Sequence, residues 1–235
     1  MGEGLFREPQ FRISGDRLLL AAFGDTIDLQ VNEKVRAMTA LLRKNPPKGV
    51  ELVLPAYSSL ALLYDPLVTA PPALRELIRS LSTRLDDADI PVPSTVDIPV
   101  CYGGEFGPDI EFVAEHNGLS VQEVIELHTA HPYHIYAIGF APGFCYLGGL
   151  DKRLHTPRLE TPRTDVPAGS VGIAEAQTGV YPLNSPGGWR LIGRTPWKLF
   201  DAGRDRPFLY QTGDSLRFVA ISPKEYKKLI EEGGP

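Results

Sequence analysis

Gly139-Phe140-Ala141-Pro142-Gly143-Phe144-Cys145-Tyr146-Leu147-Gly148-Gly149-Leu150 is the stretch on which the reading of this chain turns. It holds too much glycine and proline for a helix and too many apolar and aromatic side chains for a solvated loop. Such a segment contorts the backbone while keeping rings close to it, which suits the wall of a shaped pocket. Residues 169–195 read in the same way.

On both sides of this stretch the chain reads as short extended segments: 133–140, 170–174, 179–183, 189–192 and 215–221. Glycine and proline punctuate them closely, as in a barrel or sandwich. One helix stands out before them. Ser120 and Glu123 form a capping-box pattern ahead of Val121, Val124 and Ile125, and His128 continues that stripe. Ser222-Pro223-Lys224-Glu225 caps a short terminal helix in the same way. Asp109 and Glu111 follow Gly103-Gly104-Glu105-Phe106-Gly107-Pro108; alternation would put both carboxylates on one strand face for acid/base work, and a solvated edge or a turn capped by Asp109 reads equally well.

The first part of the chain reads as a small α/β unit. Residues 17–23 form a strand ended by Gly24. Ile27, Val31, Val35, Met38 and Leu42 recur at helical spacing until Asn45-Pro46-Pro47 stops them. Residues 50–54 and 59–64 read as strands around Pro55-Ala56-Tyr57. A second helix starts at Pro71-Pro72, with Leu74, Leu77, Ile78, Leu81 and Leu85 as its stripe and Asp86-Asp87 closing it. The division is then 1–88 for the N-terminal domain, 89–99 for a three-proline linker whose end is a strand leading onward, and 100–235 for the second domain.

The chain has 235 residues, 43% hydrophobic and 23% charged, with a formal net charge of −5. These values fit a folded globular protein, and without a long basic run they argue against nucleic-acid binding. No apolar run approaches the ~18 residues of a membrane span. The first residues lack the pattern of a signal peptide. Cys101 and Cys145 make no disulfide framework, so a cytoplasmic location is expected.

Common catalytic signatures are mostly missing, including the G-x-x-x-x-G-K-[ST] phosphate loop and the H-E-x-x-H zinc motif. Ala168-Gly169-Ser170-Val171-Gly172 comes near a nucleophile elbow, but a strand rather than the required helix follows it, so Ser170 reads as a turn residue. His128, His131 and His134 are spaced for zinc, yet Pro132 breaks the helix between them, and a core or pocket histidine is the preferred reading. Cys145 is either a thiolate nucleophile or a small buried side chain, and burial is preferred. Arg158, Arg163 and Arg194 adjoin proline or glycine; they suit a carboxylate or phosphate clamp, or else structural ion pairs with Asp151, Glu160 or Asp165. Gln177 offers a donor and an acceptor for a substrate amide, and Tyr181 and Trp189 suit pocket walls or core.

Several motifs in order resemble one family. They are Tyr102-Gly103-Gly104-Glu105-Phe106-Gly107-Pro108-Asp109, the opening stretch, Val166-Pro167-Ala168-Gly169-Ser170-Val171-Gly172-Ile173-Ala174, Gln177-Thr178-Gly179-Val180-Tyr181-Pro182, and Ser185-Pro186-Gly187-Gly188-Trp189 through Gly193-Arg194-Thr195-Pro196. Together they resemble the KipI/PxpB family, also called allophanate hydrolase subunit 1. Pro55-Ala56-Tyr57 and Tyr64-Asp65-Pro66 fit its N-terminal domain. The family usually has proline where Cys145 stands, which argues against an essential thiol, and glycine where Glu175 stands.

The resemblance implies an α+β fold, with a small N-terminal α/β domain followed by a cyclophilin-like β-barrel. It implies a PxpC/KipA-like companion subunit and a PxpA-like subunit. With them such proteins form a bacterial 5-oxoprolinase, which cleaves 5-oxo-L-proline to L-glutamate with ATP as co-substrate, accompanied by Mg. An alternative within the family is inhibition of a histidine kinase; another, from the older name, is urea or allophanate breakdown. The expected ligand-binding residues are His128, Arg158, Arg163, Gln177, Tyr181 and Arg194, with Pro142, Gly143 and Phe144 as a wall, and no metal site.

Overall fold

The computed structural model describes residues 4–234. The contacts divide the chain between Val92 and Pro93 into two units. No helix among the described residues is long and apolar enough to cross a membrane.

The first unit is a four-stranded antiparallel sheet covered on one face by helices. Its elements are β1 (Leu5–Ser14), β2 (Leu18–Gly24), α1 (Leu29–Lys44), β3 (Val50–Pro55), β4 (Ser59–Tyr64) and α2 (Pro71–Ser82), and the strand order is β1-β2-β4-β3. Alternation puts Leu19, Ala21 and Phe23 of β2 beside Leu60, Leu62 and Tyr64 of β4. Val31, Val35, Met38 and Leu42 of α1 and Leu74 and Ile78 of α2 complete this core. Each fully buried leucine there contributes about 1.5–3 kcal/mol. Asp28 caps α1 by accepting from the N–H groups of Gln30 and Val31, and Arg43 and Lys44 complement the dipole in its last turn. Ile27, expected on the α1 stripe, instead precedes the cap and is exposed. The sequence pattern does not announce strand β1, because 5–14 mixes charged and apolar residues as an edge strand does.

The second unit is a nearly closed barrel. It runs β5 (Thr95–Tyr102), α3 (Ile110–Asn117), α4 (Val121–Thr129), β6 (Tyr133–Ile138), β7 (Cys145–Gly148), β8 (Arg163–Val166), β9 (Ser170–Ala174), β10 (Gln177–Val180), β11 (Ser185–Gly187), β12 (Arg190–Arg194), β13 (Ser215–Ala220) and α5 (Pro223–Glu232). Seven strands form one sheet in the order β10-β9-β12-β5-β13-β6-β7, in which β5 and β13 are parallel. The outer strands β10 and β7 lie side by side. Gly179 permits this approach, since a Cβ there would sit 3.3 Å from the Cys145 carbonyl oxygen. Ile98, Val100, Tyr133, Ile135, Leu147, Val171, Ile173, Ile192 and Phe218 fill the interior. The expected α+β class with a barrel is the observed one.

Two local expectations are corrected. Asp109 and Glu111 do not share a strand face: Asp109 stands at the N-terminus of α3 and Glu111 lies in its first turn. Ile110, Val113 and Ala114, at helical spacing, are the buried side of α3. The strand expected at 179–183 is β10, which starts earlier, at Gln177, where the Glu175-Ala176 turn ends and Ala174 pairs with Gln177. Outside the barrel, β8 and β11 pair as a two-stranded flap. Beside them Phe144, Val166, Ala174, Tyr181, Trp189 and Leu191 form a separate apolar cluster.

Candidate functional site

The flap, the loop after β6, and the starts of β7 and β10 enclose a cavity of about 420 Å³. Its walls are mostly aromatic: Phe140, Phe144, Tyr146, Tyr181 and Trp189 line it, with Pro162 and Pro186. The rings are arranged edge-to-face around Phe144, at centroid distances of 5.1 Å to Tyr146, 5.7 Å to Tyr181 and 5.6 Å to Trp189. Gly187 is required there, because a Cβ would meet the Tyr181 hydroxyl at 2.5 Å.

Besides the phenols of Tyr146 and Tyr181, the polar side chains of Arg158 and Gln177 line the same space. Arg158 is exposed, and among the described residues its guanidinium has no hydrogen-bond or ion-pair partner. Gln177 is half-buried at the first position of β10. Burial pushes the Tyr181 phenol up, against a hydrogen bond with the Trp189 backbone and the charges of Arg158 and Arg163. The phenol therefore stays protonated at neutral pH. The site offers a cation, an amide, a phenol and flat apolar walls, a set that holds a small planar molecule carrying a negative charge.

Phe144, Arg158, Gln177 and Tyr181 thus meet in one cavity, while the other expected ligand residues do not line it. Arg163 is committed elsewhere. Its Nη2 donates to Asp109 Oδ1 at 2.7 Å and its Nη1 to the Trp189 carbonyl at 3.4 Å, while Asp109 Oδ2 accepts from the Leu191 N–H at 2.6 Å. The pair fastens the flap to α3 and β12, directly behind the Trp189 wall. Arg194 donates to the Glu105 carbonyl at 3.5 Å from the end of β12, and its Nε is buried without a partner. Pro142 and Gly143 lie in the loop behind the wall, where the Gly143 carbonyl accepts from the Tyr210 hydroxyl.

His128 is also absent from the wall. It is fully buried on α4, stacked on Phe218 and hydrogen-bonded at both ring nitrogens. Burial, and secondarily the charge of His131, pulls its imidazole down to about 3. His131 donates from Nε2 to the Gly149 carbonyl, 2.8 Å away, and His134 sits edge-on to Tyr136, so the three histidines do not converge. Among the described residues no group of three His, Cys, Asp or Glu side chains could hold a metal ion. Cys145 is fully buried, and burial pushes its thiol up to about 11, so it is no thiolate at neutral pH. Ser170 is buried in β9 with its Oγ unpartnered, and a hairpin follows it, not the helix of an elbow.

Phe140 and Tyr146 line the cavity within the stretch 139–150 expected as a pocket wall, beside Phe144 and in place of the expected Pro142 and Gly143. The signal was present for Tyr146: Phe144 and Tyr146 are two apart on one face of an extended segment.

The family model for the carboxyltransferase domain, subdomain C and D, matches residues 9–210. The chain is 44% identical over 229 residues to a 5-oxoprolinase subunit of Bacillus subtilis (strain 168), covering 93% of this chain and 95% of that protein. It is 56% identical over 124 residues to the corresponding 5-oxoprolinase subunit of Escherichia coli O157:H7, covering 53% of this chain and 57% of that protein. The crystal structure of TTHA0988 superposes with a TM-score of 0.76 at 37% identity. That match covers 88% of this chain but 40% of the solved one, so the present chain spans well under half of that longer polypeptide.

Proposed function

This chain belongs to the family of the carboxyltransferase domain, subdomain C and D, and within it to the KipI/PxpB family, and on that footing we propose that it is the substrate-holding subunit of a 5-oxoprolinase. The reaction is ATP-driven opening of the lactam of 5-oxo-L-proline to L-glutamate. The observation that carries this reading is one cavity in which a guanidinium unpaired among the described residues and a primary amide share aromatic walls, in a chain matching the Bacillus subtilis 5-oxoprolinase subunit along nearly its whole length.

The chemistry of the ligand fits these groups one by one. Its carboxylate pairs with Arg158 through two parallel N–H···O bonds. Its amide finds both a donor and an acceptor in Gln177. Its ring packs against the edge-to-face cluster of Phe144, Tyr181 and Trp189.

The wall supplies binding and orientation, not the bond-breaking groups. None of its side chains is a carboxylate, imidazole, thiol or amine. An unactivated lactam resists water, and transfer of a phosphoryl group from ATP to its oxygen makes the carbonyl carbon a better electrophile. Mg bound with that ATP needs oxygen ligands, usually carboxylates, and the wall does not fit it. We therefore assign the phosphoryl transfer and the general base to the companion subunits. Co-expression with PxpC- and PxpA-like companions tests the whole reading: glutamate must form from 5-oxo-L-proline only with ATP present. An assembled complex that releases none would refute it.

A further inference from the structure

We infer that Phe140 is the specificity-determining wall of the pocket, its ring held at the mouth to stack on the apolar edge of a five-membered ring. The inference rests on the reading of the cavity as a site for a cyclic carboxylate. Phe140 has φ of +65°, in the left-handed region that bulky side chains avoid. The Ala141 N–H donates to the Gly139 carbonyl two residues back, at 2.8 Å, which makes Phe140 the centre of a γ-turn of the rare, strained hand. Glycine adopts that conformation freely and stands at the preceding position, 139.

Folding does not explain the side chain. Phe140 is 70% exposed, while Phe144, Tyr181 and Trp189 behind it are 3%, 3% and 8% exposed. Its ring touches Phe144 edge-on, with centroids 5.4 Å apart and planes at 75°. A phenyl ring left largely in water contributes little burial, so neither core packing nor backbone preference favours phenylalanine here. What it gains is position, as the outermost ring of the cluster and a lining residue of the cavity.

The backbone that carries this ring is tied down. The Phe144 N–H donates to the Ala141 carbonyl at 2.9 Å, and the Gly139 N–H donates to the Phe144 carbonyl at 3.0 Å. The Tyr210 hydroxyl fastens the Gly143 carbonyl from beneath. A ring carried on a fixed backbone gives up less freedom when a ligand arrives than one on a mobile loop, so more of its contact with the ligand is realised as affinity. The methylene edge of a saturated five-membered ring is the part of 5-oxoproline that hydrogen bonds cannot recognise, and Phe140 supplies the surface for it. An open-chain carboxylate-amide gains no such contact.

The test is titration calorimetry and thermal melting of the isolated chain and of Phe140→Gly. The probes are 5-oxo-L-proline, cyclopentanecarboxylate and the ring-free succinamate. Phe140→Gly is expected to bind both rings ~5–10-fold more weakly, to leave succinamate unchanged, and to melt within about 3 °C of the parent. Equal ring affinity in the two proteins overturns the inference. So does a fall in melting midpoint beyond about 8 °C, which would assign the ring to the fold. If the parent binds cyclopentanecarboxylate but not 5-oxoproline, the lactam reading falls, while a weaker Phe140→Gly still upholds the role of Phe140. A parent chain that binds neither ring overturns both.

Discussion

Nε2 of His128 lies 2.8 Å from Oγ1 of Thr178, and that contact fixes the proton on the imidazole. Thr178 donates its hydroxyl to the Gly172 carbonyl at 3.1 Å, so it must accept from His128. His128 is then the neutral Nε2–H tautomer, and its Nδ1 accepts from the Tyr102 hydroxyl at 2.8 Å. The relay links α4 to β5 and to β10, next to the pocket residue Gln177. A histidine expected among the ligands is instead a hydrogen-bonded post of the barrel interior.

The first prediction concerns pH. The His128 imidazole is pulled down to about 3 in the folded chain, against about 6.5 unfolded. Between those values the unfolded chain binds the extra proton and the folded chain does not, so stability rises with pH across that window. The contribution is complete above about pH 6.5 and is lost as pH falls toward 3. In nitrogen-15 spectra the His128 ring should keep the Nε2–H pattern from pH 8 to pH 5. Protonation with a midpoint near 6.5 would show that the relay is wrong.

A second prediction concerns Asp109 and Arg163. Asp109 accepts from both Arg163 and the Leu191 N–H, so Asp109→Ala leaves two donors unpaired at once. Arg163 keeps 29% of its side chain in solvent and regains some hydration, which limits the loss. Urea unfolding should show a drop of about 2–3 kcal/mol for Asp109→Ala. Arg163→Ala should lose less, and the double variant should lose less than the sum. Additive losses would mean that the two side chains do not act as a pair.

Ser170 gives a prediction of opposite sign. Its hydroxyl is buried with no partner, and the desolvated group works against folding. Ser170→Ala should raise stability by about 1 kcal/mol and leave the activity of the assembled complex unchanged. Loss of activity with an intact fold would restore Ser170 as a nucleophile.

The fold was legible where periodicity is strong. The α1 stripe from Val31 to Leu42 and the Ser120–Glu123 capping box each state a local rule that packing then obeys. It was illegible where neighbours decide. Ile110, Val113 and Ala114 are too few to announce a helix, and α3 exists because that side packs on the barrel. The site was half legible for the same reason. Arg158 and Arg163 look alike in sequence, and only the three-dimensional position of Asp109 makes one a structural ion pair and leaves the other free. The backbone conformation of Phe140 was not legible, because a positive φ on a bulky residue contradicts its own preference.

Arg158 carries the last prediction, since it separates a site built for an anion from a merely apolar cleft. Among the described residues its guanidinium, at the cavity, has no carboxylate partner, so none of their ion pairs must break when a ligand carboxylate arrives. A charge-assisted bidentate pair at a partly exposed site is worth about 1.5–3 kcal/mol. Arg158→Ala should therefore weaken binding of 5-oxo-L-proline by ~10–100-fold, while 2-pyrrolidinone, the same lactam without the carboxylate, should bind both proteins alike. Arg158→Lys should recover only part of the affinity, because an ammonium cannot present two parallel donors. The exposed position makes a stability loss beyond about 0.5 kcal/mol unexpected, so binding and folding can be read apart. Equal affinity of the parent and Arg158→Ala for 5-oxo-L-proline would remove the carboxylate from this end of the pocket.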